Sequence, residues 1–422
     1  SNGNGSTLAW FAVKLEKNRL FSSRRIENPT EVKDGETLLR FYWENAENSS
    51  WFNDATYLDT MNEEAVKRFV EVTHEAYRRE ISDKFGKSVP GIFTDEPCYT
   101  HFTGKEVTLP WTVSIPEKFK EKFGYNLLDF LPELFFENDT EVSRVRWNYY
   151  DLLTTLFVNA FSRIIGEWCG KNHMKMTGHV LCEDSLSAQT FYVGSAMRFY
   201  EFMQAPGIDL LTEHWNIFNT AKQCVSVARQ LGRKTRLSET YGCTGWDFPF
   251  SGHKALGDWQ FALGINLRCQ HLAWYSMSAE AKRDYPASIS YQSPWYHKYS
   301  SVEDYFGRIG SVIADGEEIR DILMIHPIES YWSMKARILE EPSEQALKLD
   351  REFIALTNLL LAENLDFDYG DEELLSRYAK TEKDIFTVGQ ASYKAILLPE
   401  LKTVRSSTLK LLKDFSDKGG KV

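Results

Sequence analysis

The sequence predicts an α/β protein built on a parallel sheet. Between residues 60 and 274 short apolar strands alternate with helical patterns, and a second, shorter series of the same kind follows residue 310. Carboxylates recur where the strands of the first series end. Alternating strands and helices with brief, continuous apolar strands are the pattern of a parallel sheet covered by helices. The order of elements alone fits a doubly wound sheet as well as a barrel.

The first 50 residues hold two strand-like runs, 8–15 and 38–42, around a polar, turn-rich stretch. Ala9, Phe11 and Val13 alternate with Trp10, Ala12 and Lys14, so a hairpin or small β-rich insert is expected. Thr60-Met61-Asn62-Glu63 reads as a capping box opening a helix with the stripe Val66, Phe69, Val70, Thr73, Tyr77 and Ile81, and Gly86 as its stop. Residues 89–94 form a strand closed by Asp95-Glu96-Pro97. A helix over 117–123 meets the Gly124-Tyr125 turn, and one long helix is expected over 141–171. Strands at 174–180, 208–212, 235–238 and 266–274 then alternate with helices at 195–204, 219–231 and 256–262. After residue 310 come strands at 321–325, 365–369 and 395–398 and helices at 343–363 and 406–418. Gly419-Gly420-Lys421-Val422 leads toward a fourth strand, so the second unit reads as truncated and the chain as a fragment.

Composition removes several function classes. The 422 residues carry 60 Asp and Glu against 49 Lys and Arg, a net charge of −11 with no basic block, which speaks against a nucleic-acid partner. No apolar run approaches the roughly 18 residues needed to cross a bilayer, so no membrane partner is expected. Residues 1–6 look like a cut end rather than a signal peptide. Six irregularly spaced cysteines suggest free thiols and a reducing, cytoplasmic compartment. Aromatics reach 14%, with 12 Trp, 20 Tyr and 27 Phe. They suit a well-packed core, or the stacking of aromatic planes on the apolar faces of sugar rings.

The acids supply the functional argument. Asp95 and Glu96 follow one strand, Glu183 and Asp184 the next, then Glu213 and Glu239. In a parallel barrel all strand C-termini open on one face, so these carboxylates share a mouth, a costly arrangement for stability alone. Trp215, Tyr241, Trp246 and Trp274 gather at the same end, with His179, His214 and His271 on the rim. Paired acids beside aromatic platforms suit glycosidic cleavage: one protonates the leaving oxygen, the other attacks or activates water. Glu96 is the expected general acid and Glu239 its partner. Asp95, Glu183, Glu213, His179, His214, Trp215, Tyr241, Trp246, His271 and Trp274 are expected around the substrate. Glu183 or Glu213 could take the partner role, or hold a metal, for which an oxygen-bound ion such as Ca²⁺ suits the acids best. Lys282 and Arg283 could also reach substrate. No H-E-x-x-H and no nucleophile-elbow G-x-S-x-G occurs.

Tyr57-Leu58-Asp59, Phe85-Gly86, the run from Gly91 to Pro97, Pro110-Trp111-Thr112, Phe123-Gly124-Tyr125, Leu131-Pro132 and Ala262 to Asn266 before His271 resemble family 106 glycoside hydrolases, the α-L-rhamnosidase type. Residues 311–422 resemble the flavodoxin-like domain after the barrel in these enzymes and in family 42 β-galactosidases. The resemblance implies a TIM-type (β/α)8 barrel over 51–310, short of its first strands, then a partial flavodoxin-like α/β domain serving packing or homo-oligomerisation. It implies an exo-acting glycosidase with a glycoside substrate, inverting and calcium-assisted, with no organic cofactor. Two rivals are a metal-dependent hydrolase using the rim histidines and a non-catalytic carbohydrate-binding protein.

Overall fold

A computed structural model describes residues 5–17, 19–100, 107–279, 283, 285, 289–314, 316–334 and 343–422. Lys282 lies outside them. The chain opens with an antiparallel sheet of β1 (Ser6–Glu16), β2 (Arg19–Ile26) and β3 (Thr37–Trp43), in the order β2-β1-β3. The alternation of Ala9, Phe11 and Val13 places them in the core, where Phe11 meets Phe41 edge-on. The strand β2 escapes the sequence reading because it buries only Leu20 and Ile26 among polar residues.

Five parallel strands follow: β4 (Gly91–Thr94), β5 (Lys175–Gly178), β6 (Ala205–Asp209), β7 (Leu237–Thr240) and β8 (Leu267–Gln270). Their spatial order is their chain order. Each crossover adds its strand on the same side, and right-handed crossovers then put every helix on one face. A doubly wound sheet reverses its order at a switch point. This sheet does not, so it is a curled, barrel-type arc. Ile208 and Ser238 are buried toward the helices, and the Arg268 guanidinium lies 4.0 Å from the Phe306 ring of helix Ser300–Ala314. Their neighbours Asp209, Glu239 and Cys269, adjacent in register, occupy the opposite, concave face.

One glycine is indispensable to the arc. Gly178 has φ +108°, and a Cβ there would stand 1.9 Å from the Thr94 carbonyl oxygen. Gly178→Ala is expected to cost more than about 1 kcal/mol, read as a lower urea midpoint. An unchanged midpoint would show that β4 and β5 can separate freely.

The second unit has β9 (Ile322–Ile325) between β10 (Phe367–Gly370) and β14 (Ala395–Leu397), all parallel, and an antiparallel meander of β11 (Ala379–Glu382), β12 (Ile385–Val388) and β13 (Ala391–Tyr393). Lys421 makes a parallel bridge to Ala395, beside β14, where the sequence places the next strand. One apolar core runs from Phe11 through Phe157 and Phe199 to Trp332, Phe353 and Phe367, and so joins both units. Among the described residues no helix is long and apolar enough to cross a membrane.

Three local expectations change. The first long helix is capped by Asn62, whose side chain accepts from the amides of Glu64 and Ala65, while the Thr60 hydroxyl donates to the Cys98 carbonyl at 2.7 Å. The helix expected over 141–171 starts at Arg144 and carries a π segment, Val158–Arg163. The strand expected at 208–212 runs over Ala205–Asp209, three residues earlier.

Candidate active site

Glu96 leaves β4 in the left-handed region, φ +49°. For a residue with a Cβ this conformation costs about 1–2 kcal/mol, and it persists because the loop is over-determined. Tyr57 Oη accepts from the Cys98 amide at 3.3 Å, Thr60 holds the Cys98 carbonyl, and the Tyr99 hydroxyl donates to the Thr190 carbonyl at 2.7 Å. Asp59 in turn accepts from the Thr112 hydroxyl at 2.6 Å. The sequence motifs around residues 57–59 and 110–112 therefore form the scaffold of the Glu96 loop. Glu96 itself is exposed at the mouth, yet protein walls shield its carboxyl enough that desolvation raises its pKa; His179 opposes this, and Asp95 and Glu239 reinforce it.

His179 sits at the centre. It is 1% exposed, and its Nε2 lies 2.9 Å from Glu239 Oε2 and 3.4 Å from Asp95 Oδ1. Burial works against its charge, but the Glu239 hydrogen bond and the charges of Asp209, Glu183 and Glu239 prevail and raise it to about 9. It is an imidazolium at neutral pH, donating to carboxylates. His271 approaches Glu239 from the other side, Nε2 to Oε1 at 4.0 Å.

Beneath this layer lies Glu183. Its Oε2 accepts from the Tyr200 hydroxyl at 2.8 Å and its Oε1 from the Asp209 amide at 2.9 Å. Burial pushes it up to about 7, against the pull of His179 and these hydrogen bonds. Glu183 is 4% exposed and both its oxygens are engaged, so it stands as a buttress below the site rather than among the substrate ligands the sequence suggests. Tyr241 likewise turns away: it is fully buried, its hydroxyl donates to the His253 carbonyl at 3.1 Å and accepts from Arg268 at 2.9 Å. A buried, satisfied hydroxyl has nothing to offer a sugar.

The remaining expected residues line the rim. Trp246 and Trp274 pair with centroids 5.2 Å apart at 37°, both part-exposed, and Trp215 is 43% exposed. Glu213 lies in the loop after β6, with His214 at 3.2 Å and open to solvent. The carboxylate at the end of β6 is instead Asp209, which the sequence reading missed. Leu210 and Leu211 prolong the apolar run and disguise where the strand stops, while Pro206-Gly207 resembles a turn; the available signal was the acid itself beside that proline-glycine start. Burial pushes Asp209 up to about 7 against His179, and Glu239, Glu96 and Asp95 add to the rise.

Asp95, His179 and Glu239 are the described residues that could hold a metal, with ligand atoms within 4.8 Å of one another. For His179 to ligate, it would have to give up its proton. Calcium takes six to eight oxygens, and this trio offers carboxylate oxygen from two residues. These three residues alone fall short of calcium's oxygen count.

These shifts set the pH dependence of stability. Glu183 and Asp209 titrate near 7 in the fold and about 4 when unfolded, so the native state holds more protons in that window. Stability therefore falls as pH rises through it, and His179 extends the fall toward 9. Asp151, buried but lowered to about 2 by Arg198, Lys122 and Arg405, contributes stability lost as pH falls below the usual carboxylate range. The urea midpoint is expected to peak at about pH 5 and decline toward pH 8, less steeply in Glu183→Gln. A flat profile over that range contradicts this picture.

Comparison with known proteins places the chain. The family model for α-L-rhamnosidases, glycoside hydrolase family 106, matches residues 45–422. The chain belongs to this family. A curated relative from Formosa agariphila, named "Putative beta-glucuronidase", is 23% identical over 384 residues, 86% of this chain and 29% of the relative. Among solved structures, a rhamnosidase from Novosphingobium sp. PP1Y superposes with a TM-score of 0.66 at 19% identity, covering 87% of this chain and 34% of that one. A cold-adapted β-galactosidase from Rahnella sp. R3 follows the same fold with a TM-score of 0.57 at 12% identity, covering 86% and 54%. The chain thus spans about a third of the rhamnosidase and about half of the β-galactosidase. Family membership is thus carried by the model match over residues 45–422, and the solved structures share the barrel-type α/β fold.

Proposed function

We propose that this glycoside hydrolase removes a terminal α-L-rhamnosyl-type sugar, with Glu96 as general acid and Glu239 as the carboxylate that activates water or attacks the anomeric carbon. The observation that carries the reading is the contrast between the two. Glu96 stands at the open mouth, shielded so that desolvation raises its pKa and favours the protonated form, whereas Glu239 accepts a hydrogen bond from the His179 imidazolium. Environments that divide two carboxyls in this way assign acid and base roles. Trp215, Trp246 and Trp274 offer stacking surface for the sugar, and the family match supports a rhamnoside-type substrate. Calcium has no step in this reading.

The test is an aryl-glycoside panel of α-L-rhamnoside, β-galactoside and β-glucuronide with the intact protein, read by phenol release and product anomer. Cleavage of the α-L-rhamnoside is expected. Cleavage of the glucuronide alone would replace the substrate. The anomer would fix retention or inversion, which the carboxylate separation sets.

A further inference from the structure

Among the described residues, two of the buried polar atoms without hydrogen-bond partners lie behind Glu239. His179 Nδ1 and Asp209 Oδ1 are both shut away from solvent, and neither has a hydrogen-bond partner among the described residues. They are complementary. With Nε2 committed to Glu239 and Asp95, a protonated ring presents Nδ1–H as a donor seeking an acceptor. Asp209 Oδ1 is a carboxyl oxygen seeking a donor. The two groups belong to one neighbourhood: Asp209 adjoins Glu239 in register, and Glu239 holds the other nitrogen of His179. Asp209 is also fixed from behind, because Glu183 holds its amide and Tyr200 holds Glu183. A buried polar atom left unpaired is expensive, and a pair of opposite kind in one pocket is satisfied together, directly or through one water.

We propose that Asp209 and His179 form a positioning pair behind Glu239, Asp209 receiving Nδ1–H and Nε2–H being held on Glu239, so that one row fixes the orientation of the acceptor carboxylate. This rests on Glu239 being the partner of Glu96. Neither Asp209 nor His179 touches the reacting atoms in this arrangement; both act through Glu239. The mutual charge effects on His179 and Asp209 agree with the arrangement.

The groups facing His179 are Asp95 and Glu96 after β4, Glu183 after β5, Asp209 on β6 and Glu239 on β7, with the Phe93 ring edge-on at 5.5 Å. Removing the imidazolium withdraws the only cation from these five acids among the groups named. His179→Gln is therefore expected to lower kcat on p-nitrophenyl α-L-rhamnopyranoside by about 10²-fold with little change in KM, and to move the acidic limb of the kcat profile to higher pH. Asp209→Asn is expected to lower kcat with KM nearly unchanged, and Asp209→Glu to restore part of it. In ¹⁵N-histidine-labelled protein without substrate, a slowly exchanging Nδ1–H of His179 is expected in the wild type and Asp209→Glu, and its loss in Asp209→Leu, which has no acceptor oxygen. A raised KM with an unmoved limb in both variants would make these residues sugar ligands and overturn the pairing. Persistence of the Nδ1–H signal in Asp209→Leu would overturn it as well. The NMR readout needs no turnover, so a wild type silent on the rhamnoside defeats the substrate reading while the pairing is still decided.

Discussion

Glu96→Gln is expected to lower kcat by about 10²–10⁴-fold on a glycoside with an alkyl or sugar leaving group, and far less on one with an acidic nitrophenol. The leaving oxygen of a natural glycoside needs a proton as the bond breaks, whereas a nitrophenolate departs without one. A glutamine keeps the shape of the side chain and removes the proton. The loop should tolerate the change, because Cys98, Tyr99 and Thr60 hold it through hydrogen bonds that do not involve the Glu96 carboxyl. The variant should also lose the basic limb of the kcat profile, since the acid raised by desolvation is gone. Rates on the two substrates are the measurement. An equal fall on both would remove Glu96 from the acid role.

Arg198→Met is expected to produce the largest loss of stability, about 3–5 kcal/mol. Arg198 ties the two units together. Its Nε lies 3.0 Å from Asp371, its Nη1 3.0 Å from Asp151, and its Nη2 bonds Glu329, all but buried beneath the Trp332 ring at 4.9 Å. Arg405 shares Asp151 and Glu329 at 2.6 and 2.7 Å, and Lys122 reaches Asp151 at 2.7 Å. Such a cluster is no proof of net stabilisation, since its desolvation is costly; removing its central cation, however, takes a partner from three buried carboxylates and leaves Asp371 without an ion pair among the described residues. Arg198→Lys should rescue little, because one ammonium cannot serve three acids in a planar fork. Arg198 lies on the short helix Ala196–Tyr200, which also carries the tyrosine that holds Glu183. The same variant is thus expected to loosen the floor of the site. Urea midpoints of the three proteins decide the matter, and a methionine variant within about 1 kcal/mol of wild type would show that the interface rests on its apolar contacts alone.

The sequence was most legible where one element type carried one meaning. Gly91–Thr94 is a short apolar run stopped by two acids and a proline, and it forms the strand and the acid-bearing loop end that the pattern suggests, while the left-handed turn at Glu96 is visible only in the structure. The barrel-type arc became certain only from strand order, which no periodicity encodes. Asp209 was hidden by two leucines continuing past the true strand end, so the acid appeared to sit inside a strand instead of closing it. Glu183 and Tyr241 lie in the right loops but face inward, and side-chain direction within an irregular loop follows from partners distant in sequence, here Tyr200 for one and Arg268 for the other. Thr60 illustrates the same competition on a small scale: its hydroxyl suits a helix cap, yet the Cys98 carbonyl claims it and Asn62 caps instead.

The central claim is that Glu239 is the essential partner carboxylate of a glycosidase whose acid is Glu96. Its most direct test is the rate of p-nitrophenyl α-L-rhamnopyranoside hydrolysis by wild type and Glu239→Gln of matched urea midpoint. This substrate needs little help from the acid, so the rate isolates the partner. The account predicts cleavage by the wild type and a loss of about 10³-fold or more in the variant. A variant that retains the wild-type rate would contradict it.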